Sequence, residues 1–300
     1  MSPLLEKLPD VLQKPLARSF LHLPTNLLSR GWGSFSRSPA SRHFIEPFAR
    51  LTGVAVAEAE RPLEQYATLN DFFTRRLRPG ARRIDDAPDS IVSPVDGAVS
   101  AFGECRPDTL VQVKGLEYDL FSLLRDVPAS RSLQGGSYLT LYLSPPDYHW
   151  IHAPMDMEVV GLGYMPGALL PVNPPSVRWV PELYCHNERV MIYAQGSFGT
   201  MVVVLVGACG VGSIRLAFHD LSTNRYGAGP RRMNFDKPVF VGKGMDLGVF
   251  EMGSTVILLF SREKVQLAPP AVGRQVRLGQ PIGKLVTARQ LAGGAREEER

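Results

Sequence analysis

Along the first fifty residues, apolar positions recur three or four apart, at Leu4, Leu5, Leu8, Val11, Leu12, Leu16, Phe20, Leu21 and Leu23. That spacing predicts short amphipathic helices broken at Pro9, Pro15 and Pro24. Lys7, Lys14, Arg18 and Arg30 are interspersed, and Trp32 and Phe35 follow beside glycines. Basic residues mixed with Leu, Trp and Phe suit a helix lying in a membrane interface. A helical arm packed on the body fits the same residues, and the pattern alone does not separate the two.

"TLNDFFTRRLRPGARRI" predicts a capped helix, with Thr68 as N-cap, Asp71 three residues on, and Pro79-Gly80 as the stop. Arg75, Arg76 and Arg78 then read as a basic C-terminal end, either solvated and offsetting the helix dipole or facing anionic lipid. From Ile91 onward short runs replace the helical period: "IVSPVDGAVS", "SYLTLYLS", "MEVVGLGYM", "RVMIYAQ", "GTMVVVLVGA", "GSIRLAF" and "STVILLF". Gly, Pro, Asn and Asp separate them, which predicts an α+β protein whose core is a β-rich sandwich or barrel. The run Met201–Gly212 reads as a buried strand pair, and "GRQVRLGQPIGKLV" as a closing hairpin. The division expected is a helical region over 1–85 and a β-rich catalytic domain over 86–300, with a frayed end at "AREEER".

Composition narrows the class. A chain of 300 residues, 44% hydrophobic and 21% charged, is that of an ordinary folded protein with a sizeable core. The formal charge of +4 suits an anionic surface or substrate without requiring one, and nothing points to nucleic acid. Cys105, Cys185 and Cys209 are far apart and form no C-x-x-C pair, so neither a disulfide framework nor a cysteine zinc site is expected. The longest apolar run falls short of the roughly 20 residues of a spanning helix, and no secretory signal is visible.

Candidate chemistry is concentrated in three places. "LSPPDYHWIHAPMD" carries His149 and His152 within a proline-bounded turn. Acid–base catalysis, a metal site and a purely structural role all fit the pair, although metal binding lacks an intervening Glu and an obvious third ligand. "SPVDGAVS" offers Asp96 before a turn glycine, and "VFEMGSTVILLF" offers Ser254 after Gly253. An acid, a histidine and a serine in separate segments can assemble into a Ser-His-Asp arrangement. No G-x-S-x-G elbow surrounds Ser254. A serine after an unhindered glycine can instead attack the carbonyl of that glycine.

Taken together, "FFTRRLRPGARRI", "SPVDGAV", "YLSPPDYHWIHAPMD", "HNERV", "VGACGVGSI" and "MGSTVILLF" resemble the bacterial-type phosphatidylserine decarboxylase proenzymes, in the order of that family. The resemblance covers the chain from about Leu69 to Phe260. Met252 stands where Leu is common, a volume-conserving exchange. "HNERV" is preceded by Cys185, and no role is assigned to His186.

The resemblance implies an enzyme that cuts itself between Gly253 and Ser254, giving a β chain of 1–253 and an α chain of 254–300. Ser254 becomes a covalent pyruvoyl group, which forms a Schiff base with the amine of phosphatidylserine and releases CO2 and phosphatidylethanolamine. It implies Asp96 orienting His152 during self-cleavage, His149 as a general acid, and no metal. It also implies lipoyl-like features in the core, a homodimer, and peripheral attachment to anionic lipid at the cytoplasmic face of the inner membrane. The competing expectations are a pyruvoyl decarboxylase of another amino acid, a Ser-His-Asp hydrolase in an uncut chain, and a noncatalytic β-barrel adaptor with a membrane-binding arm.

Overall fold

The computed structural model describes residues 9–106, 109–113, 116–210, 213–221, 223–225, 227–251 and 254–286. Leu4, Leu5, Lys7, Leu8, Met252, Gly253 and the charged terminal run lie outside the described residues.

Helices Asp10–Ser19, Thr25–Ser36 and Ile45–Thr52 form the N-terminal part. Pro9 and Pro24 precede helices as expected, but Pro15 lies inside the first. Pro15 deprives the Val11 carbonyl of its helical donor, and Val11 is 76% exposed, so water can take that place. The buried face of Thr25–Ser36 is made of small residues, Thr25, Ser29, Gly33 and Ser36. Thr25 and Ser29 accept backbone N–H groups of Leu169 and Gly210, and Asn26 donates to the Gly167 carbonyl. The large apolar side chains face the other way: Val11, Leu12, Leu16, Leu21, Leu23, Leu27, Leu28 and Trp32 are exposed.

The β-rich part begins with β1 (Ser90–Val92), β2 (Gly97–Glu104), β3 (Thr109–Val113), β4 (Leu116–Asp119), β5 (Ser137–Leu143), β6 (Trp150–His152), β7 (Met157–Met165) and β8 (Arg189–Gly196). It continues with β9 (Gly199–Gly207), β10 (Ile214–Leu216), β11 (Arg231–Val241), β12 (Asp246–Phe250), β13 (Ser254–Phe260), β14 (Val265–Leu267), β15 (Gln275–Val276) and β16 (Pro281–Leu285). Eight strands make one antiparallel sheet in the order β11-β7-β8-β9-β13-β5-β2-β15. The α+β class holds. The sheet is open, ending at β11 and β15, so the layered alternative forms rather than the barrel.

Strand β13 lies in the middle of this sheet and every one of its residues is buried. Val256, Leu258 and Phe260 enter one apolar cluster, shared with β6, β10, β12 and β16. Ile257 and Leu259 enter the other, shared with the helices Leu120–Leu124 and Leu183–His186. Burial on both faces is why the run is continuously apolar rather than alternating. Each such side chain contributes roughly 1.5–3 kcal/mol on burial, so displacing the strand headed by Ser254 costs far more than remodelling an exposed loop.

Three local expectations change. Met201–Gly212 supplies one strand, β9, whose neighbours are β8 and β13, and not a strand pair. The C-terminal runs do not form a hairpin, because β15 pairs with β2 whereas β16 pairs with β1 and β14. Gly279, at φ 83°, turns the chain between them. Thr68 caps its helix by accepting the Asp71 N–H as expected, but that helix spans only Leu69–Phe73. After a turn that closes with the Arg75 N–H on the Phe72 carbonyl, the chain pairs with residues 58–60 instead, with the Glu60 N–H on the Arg76 carbonyl and the Arg78 N–H on the Glu58 carbonyl. This backbone pairing competes successfully with a further helical turn.

Candidate active site

Ser254 opens β13, level with Leu143 of β5 on one side and Gly207 of β9 on the other. The next residues after Leu143 are the turn Ser144–Pro146 that leads to the histidines. The Phe250 N–H donates to the His149 carbonyl, and the His152 N–H donates to the Pro94 carbonyl at 2.9 Å. The second contact ties β6 to the turn bearing Asp96. Gly97 makes that turn possible, since a Cβ there would lie 2.6 Å from the Tyr142 carbonyl oxygen. Strand pairing thus gathers Asp96, His149, His152 and Ser254 at one end of the large sheet. Gly253 lies outside the described residues.

Each of the four side chains is buried, and their bonding is uneven. Among the described residues, Ser254 Oγ, both ring nitrogens of His149 and Nε2 of His152 have no hydrogen-bond partner. Buried polar atoms are nearly always bonded, and although others without a partner occur elsewhere, at Tyr118, Ser176 and Trp179 among them, these four leave the site with groups that a reaction or a ligand can engage. His152 Nδ1 lies 2.8 Å from the Gly244 carbonyl oxygen and 3.3 Å from Asp246 Oδ1. A carbonyl oxygen can only accept, so Nδ1 carries the proton and Nε2 offers a lone pair.

The expected bond between Asp96 and His152 is absent among the described residues. Arg82 donates through Nε to both Asp96 oxygens and through Nη2 to one of them and to Glu58, and the Leu278 N–H donates to Asp96 Oδ1 at 2.8 Å. A buried guanidinium held in this fork is a stronger partner for a carboxylate than a neutral imidazole.

Burial dominates the electrostatics. It pushes the His149 imidazole down to about 3 and the Arg75 charge adds to the effect, while the nearby Pro145 and Ser144 carbonyls, which do not meet hydrogen-bond geometry with the ring, oppose it weakly. His152 is lowered too, first by burial, with Gly244, Asp246 and Asp96 pulling back and Arg76 adding to the fall. Both rings are therefore neutral at pH 7, able to accept a proton at one nitrogen and present one at the other. Burial raises the Tyr148 hydroxyl to about 12. Among the described residues no group of three or more His, Cys, Asp or Glu side chains is placed to hold a metal ion.

The sequence pattern of the family described as "Phosphatidylserine decarboxylase" matches residues 69–284, which include all four of these positions. The chain belongs to the phosphatidylserine decarboxylase family. It is 45% identical to the phosphatidylserine decarboxylase proenzyme of Anaeromyxobacter sp. (strain K) over 269 residues, covering 87% of this chain and 95% of the relative. The proenzyme of Acidovorax ebreus (strain TPSY) is 44% identical over 242 residues, 79% of this chain and 85% of its own. That of Myxococcus xanthus (strain DK1622) is 41% identical, again over 87% and 95% of the two chains. Membership makes the chain an enzyme, a decarboxylase made as a proenzyme.

The family segment beginning at Leu69 contains what the motif reading missed. Phe73 stacks on His149 with ring centroids 4.0 Å apart. Arg75, only 3% exposed, donates to the Pro146 and Asp147 carbonyls at 2.7 and 3.2 Å. Arg76 grips Asp246, and Arg82 grips Asp96. The arginines expected to face solvent or lipid at a helix end therefore include one buried against the histidine turn. The density of arginine in "FFTRRLRPGARRI" was the available signal, and the assumed helix hid its meaning. Asp246 had no such signal, standing in "KGMDLG" as one more turn aspartate.

Proposed function

We propose that this chain is a self-cleaving, pyruvoyl-dependent phosphatidylserine decarboxylase that yields phosphatidylethanolamine and CO2. The observation that carries the reading is the buried, unpartnered Ser254 Oγ at the head of a central strand, in the same site as two buried histidines with unpartnered nitrogens. Family membership supplies the substrate class, since its relatives are phosphatidylserine decarboxylase proenzymes.

In self-cleavage the Ser254 hydroxyl attacks the Gly253 carbonyl carbon while His152 Nε2 takes the hydroxyl proton. The peptide C–N bond breaks as the ester C–O bond forms, and the freed amine takes a proton. β-Elimination then removes the α-proton of residue 254 and breaks its Cβ–O bond, leaving a carboxylate on Gly253. Hydrolysis of the resulting dehydroalanine releases ammonia and leaves the pyruvoyl group. That carbonyl supplies an electron sink which side chains lack. His149, neutral through burial and the nearby Arg75 charge, holds a proton on one ring nitrogen for delivery to the substrate carbon. The surrounding apolar cluster and the stacked Phe73 exclude water from it.

The outward apolar face of residues 11–32 supports docking on an anionic bilayer, although Lys14 and Arg18 turn to Trp179 and Arg30 to Asn224. No helix among the described residues is long and apolar enough to cross a membrane. A peripheral place on the cytoplasmic face of the inner membrane, residues 1–85 as the docking region and a homodimer belong to the same proposal.

Intact-mass analysis of denatured wild-type protein and of Ser254→Ala tests it. The wild type is expected to give fragments 1–253 and 254–300, the second lighter by one ammonia than a serine-started peptide, and the variant a single inactive chain. An uncut wild type that labels with a fluorophosphonate at Ser254 would point to a hydrolase.

A further inference from the structure

Residues 73–82 clamp the site through Phe73, Arg75, Arg76 and Arg82, and Arg75 is the member left incomplete. Phe73 stacks on His149, Arg76 pairs with Asp246 and Arg82 pairs with Asp96. Arg75 is 3% exposed and donates through Nη2 to the Pro146 and Asp147 carbonyls, while Nε and Nη1 are buried without a hydrogen-bond partner. No carboxylate pairs with it among the described residues. Asp147 turns Oδ2 to the Ser144 N–H and hydroxyl instead, at 2.7 and 2.6 Å. The Phe72 ring, its centroid 5.2 Å from Arg75 Cζ, is a weak substitute for an anion. A guanidinium keeps its charge, and a buried charge without a counter-ion is costly. Burial accordingly lowers the proton affinity of Arg75, against the pull of Tyr66, Asp147, Asp96 and Glu58.

The location indicates what completes it. Pro146 and Asp147 lead into His149, and the Arg75 charge is felt at the His149 ring. His149 is the proton donor proposed above for the substrate α-carbon. In phosphatidylserine that carbon bears a carboxylate, which leaves as CO2, and, through one methylene and one oxygen, a phosphodiester, which stays. A cation held on the carboxylate would stabilise the charge that decarboxylation must disperse, and so oppose the reaction. A cation on the phosphodiester serves substrate and transition state alike and fixes the α-carbon against its proton donor.

We propose that Arg75 receives the phosphodiester of the lipid headgroup through its unpartnered N–H groups and so sets the α-carbon beside His149. This rests on the decarboxylase reading above and names the part of the substrate that the site grips. Charge-assisted bonds from a guanidinium to phosphate oxygens are among the strong ones, and the apolar surroundings strengthen them further.

The test uses the full-length protein, its cutting checked by mass, with the Arg75 Nε–H signal followed by NMR and assigned with Arg75→Lys. Glycerophosphoglycerol, a phosphodiester without amine or carboxylate, is expected to shift that signal, and L-serine, which lacks phosphate, to leave it in place. By calorimetry, glycerophosphoethanolamine is expected to bind more tightly than ethanolamine. Arg75→Met should reduce that advantage about tenfold, with Arg75→Lys restoring part of it. A shift with L-serine and none with glycerophosphoglycerol would assign Arg75 to the carboxylate and overturn the proposal, as would no shift with either. If Arg75→Met does not fold, the wild-type signal decides alone. A wild type that stays uncut would count against the decarboxylase reading, while its Arg75 signal would still judge phosphodiester binding.

Discussion

Ser254 is held by its backbone, between Leu143 and Gly207, at the head of a strand whose seven residues are all buried. The histidines and Asp96 are held by side chains reaching in from residues 73–82: Phe73 on His149, Arg75 on the histidine turn, Arg76 on Asp246 and Arg82 on Asp96. The contrast matches what the proposed chemistry asks of each group. A serine whose own peptide bond is to be attacked needs a fixed chain, which paired strands provide. Imidazoles that accept and return protons need a tuned surrounding of charge and apolar surface, which long side chains from another segment can supply.

If the two regions differ in this way, perturbing them should have different signatures. The largest effect on stability is expected from acid. His149 is buried neutral with its proton affinity pushed down to about 3, so the unfolded chain binds the proton more readily. Its contribution is fully present above the ordinary histidine value near pH 6.5 and is lost as pH falls from there toward 3, up to roughly 4 kcal/mol. His152 is lowered in the same direction. Urea midpoints measured at pH 7 and pH 4 should fall apart in the wild type and lie closer together in His149→Gln, with His152 accounting for part of the remaining gap. Next comes the strand: Leu258→Ala empties a fully buried position and is expected to cost about 3 kcal/mol, seen as a lower urea midpoint with structure and activity lost together.

The clamp should behave otherwise. Phe73→Leu keeps apolar volume but loses the stack on His149, so a stability loss of about 1 kcal/mol should accompany a disproportionate fall in decarboxylation, at least tenfold. Equal losses to those of the strand variant would erase the distinction. The smallest expected change in stability is on the outward face: Leu27→Glu, at a residue 68% exposed, should shift unfolding by less than about 0.5 kcal/mol. Co-sedimentation with vesicles containing phosphatidylserine and phosphatidylglycerol should nevertheless weaken several-fold. Unaltered vesicle binding would count against docking through this face.

Local pattern carried much of this molecule. Runs such as "STVILLF" and "RVMIYAQ" announce strands because β-branched and aromatic side chains pack well on pleated surfaces, and they form β13 and most of β8. The Thr68 cap is a local hydrogen bond and was readable as one. Motif order along the chain pointed to Asp96, His149, His152 and Ser254, and strand pairing brings all four to one end of the sheet. Pro15 and the arginines after Phe73 were misread because their outcome depended on solvent access in one case and on pairing with residues 58–60 in the other.

What the sequence determined by itself was the family, the α+β class, and the succession of helices and then strands; it also nominated Asp96, His149, His152 and Ser254 as the candidates on which the proposed chemistry rests. Those depend on side-chain type, short spacings and motif order, all of which are properties of neighbours along the chain. What only the tertiary structure decided was which charged groups touch: Arg82 on Asp96, Asp246 beside His152, Arg75 buried under the histidine turn. These partners are separated by 14, 94 and 71 residues respectively in the chain. A carboxylate reaches the guanidinium or imidazole that folding sets against it, and no local spacing encodes that choice.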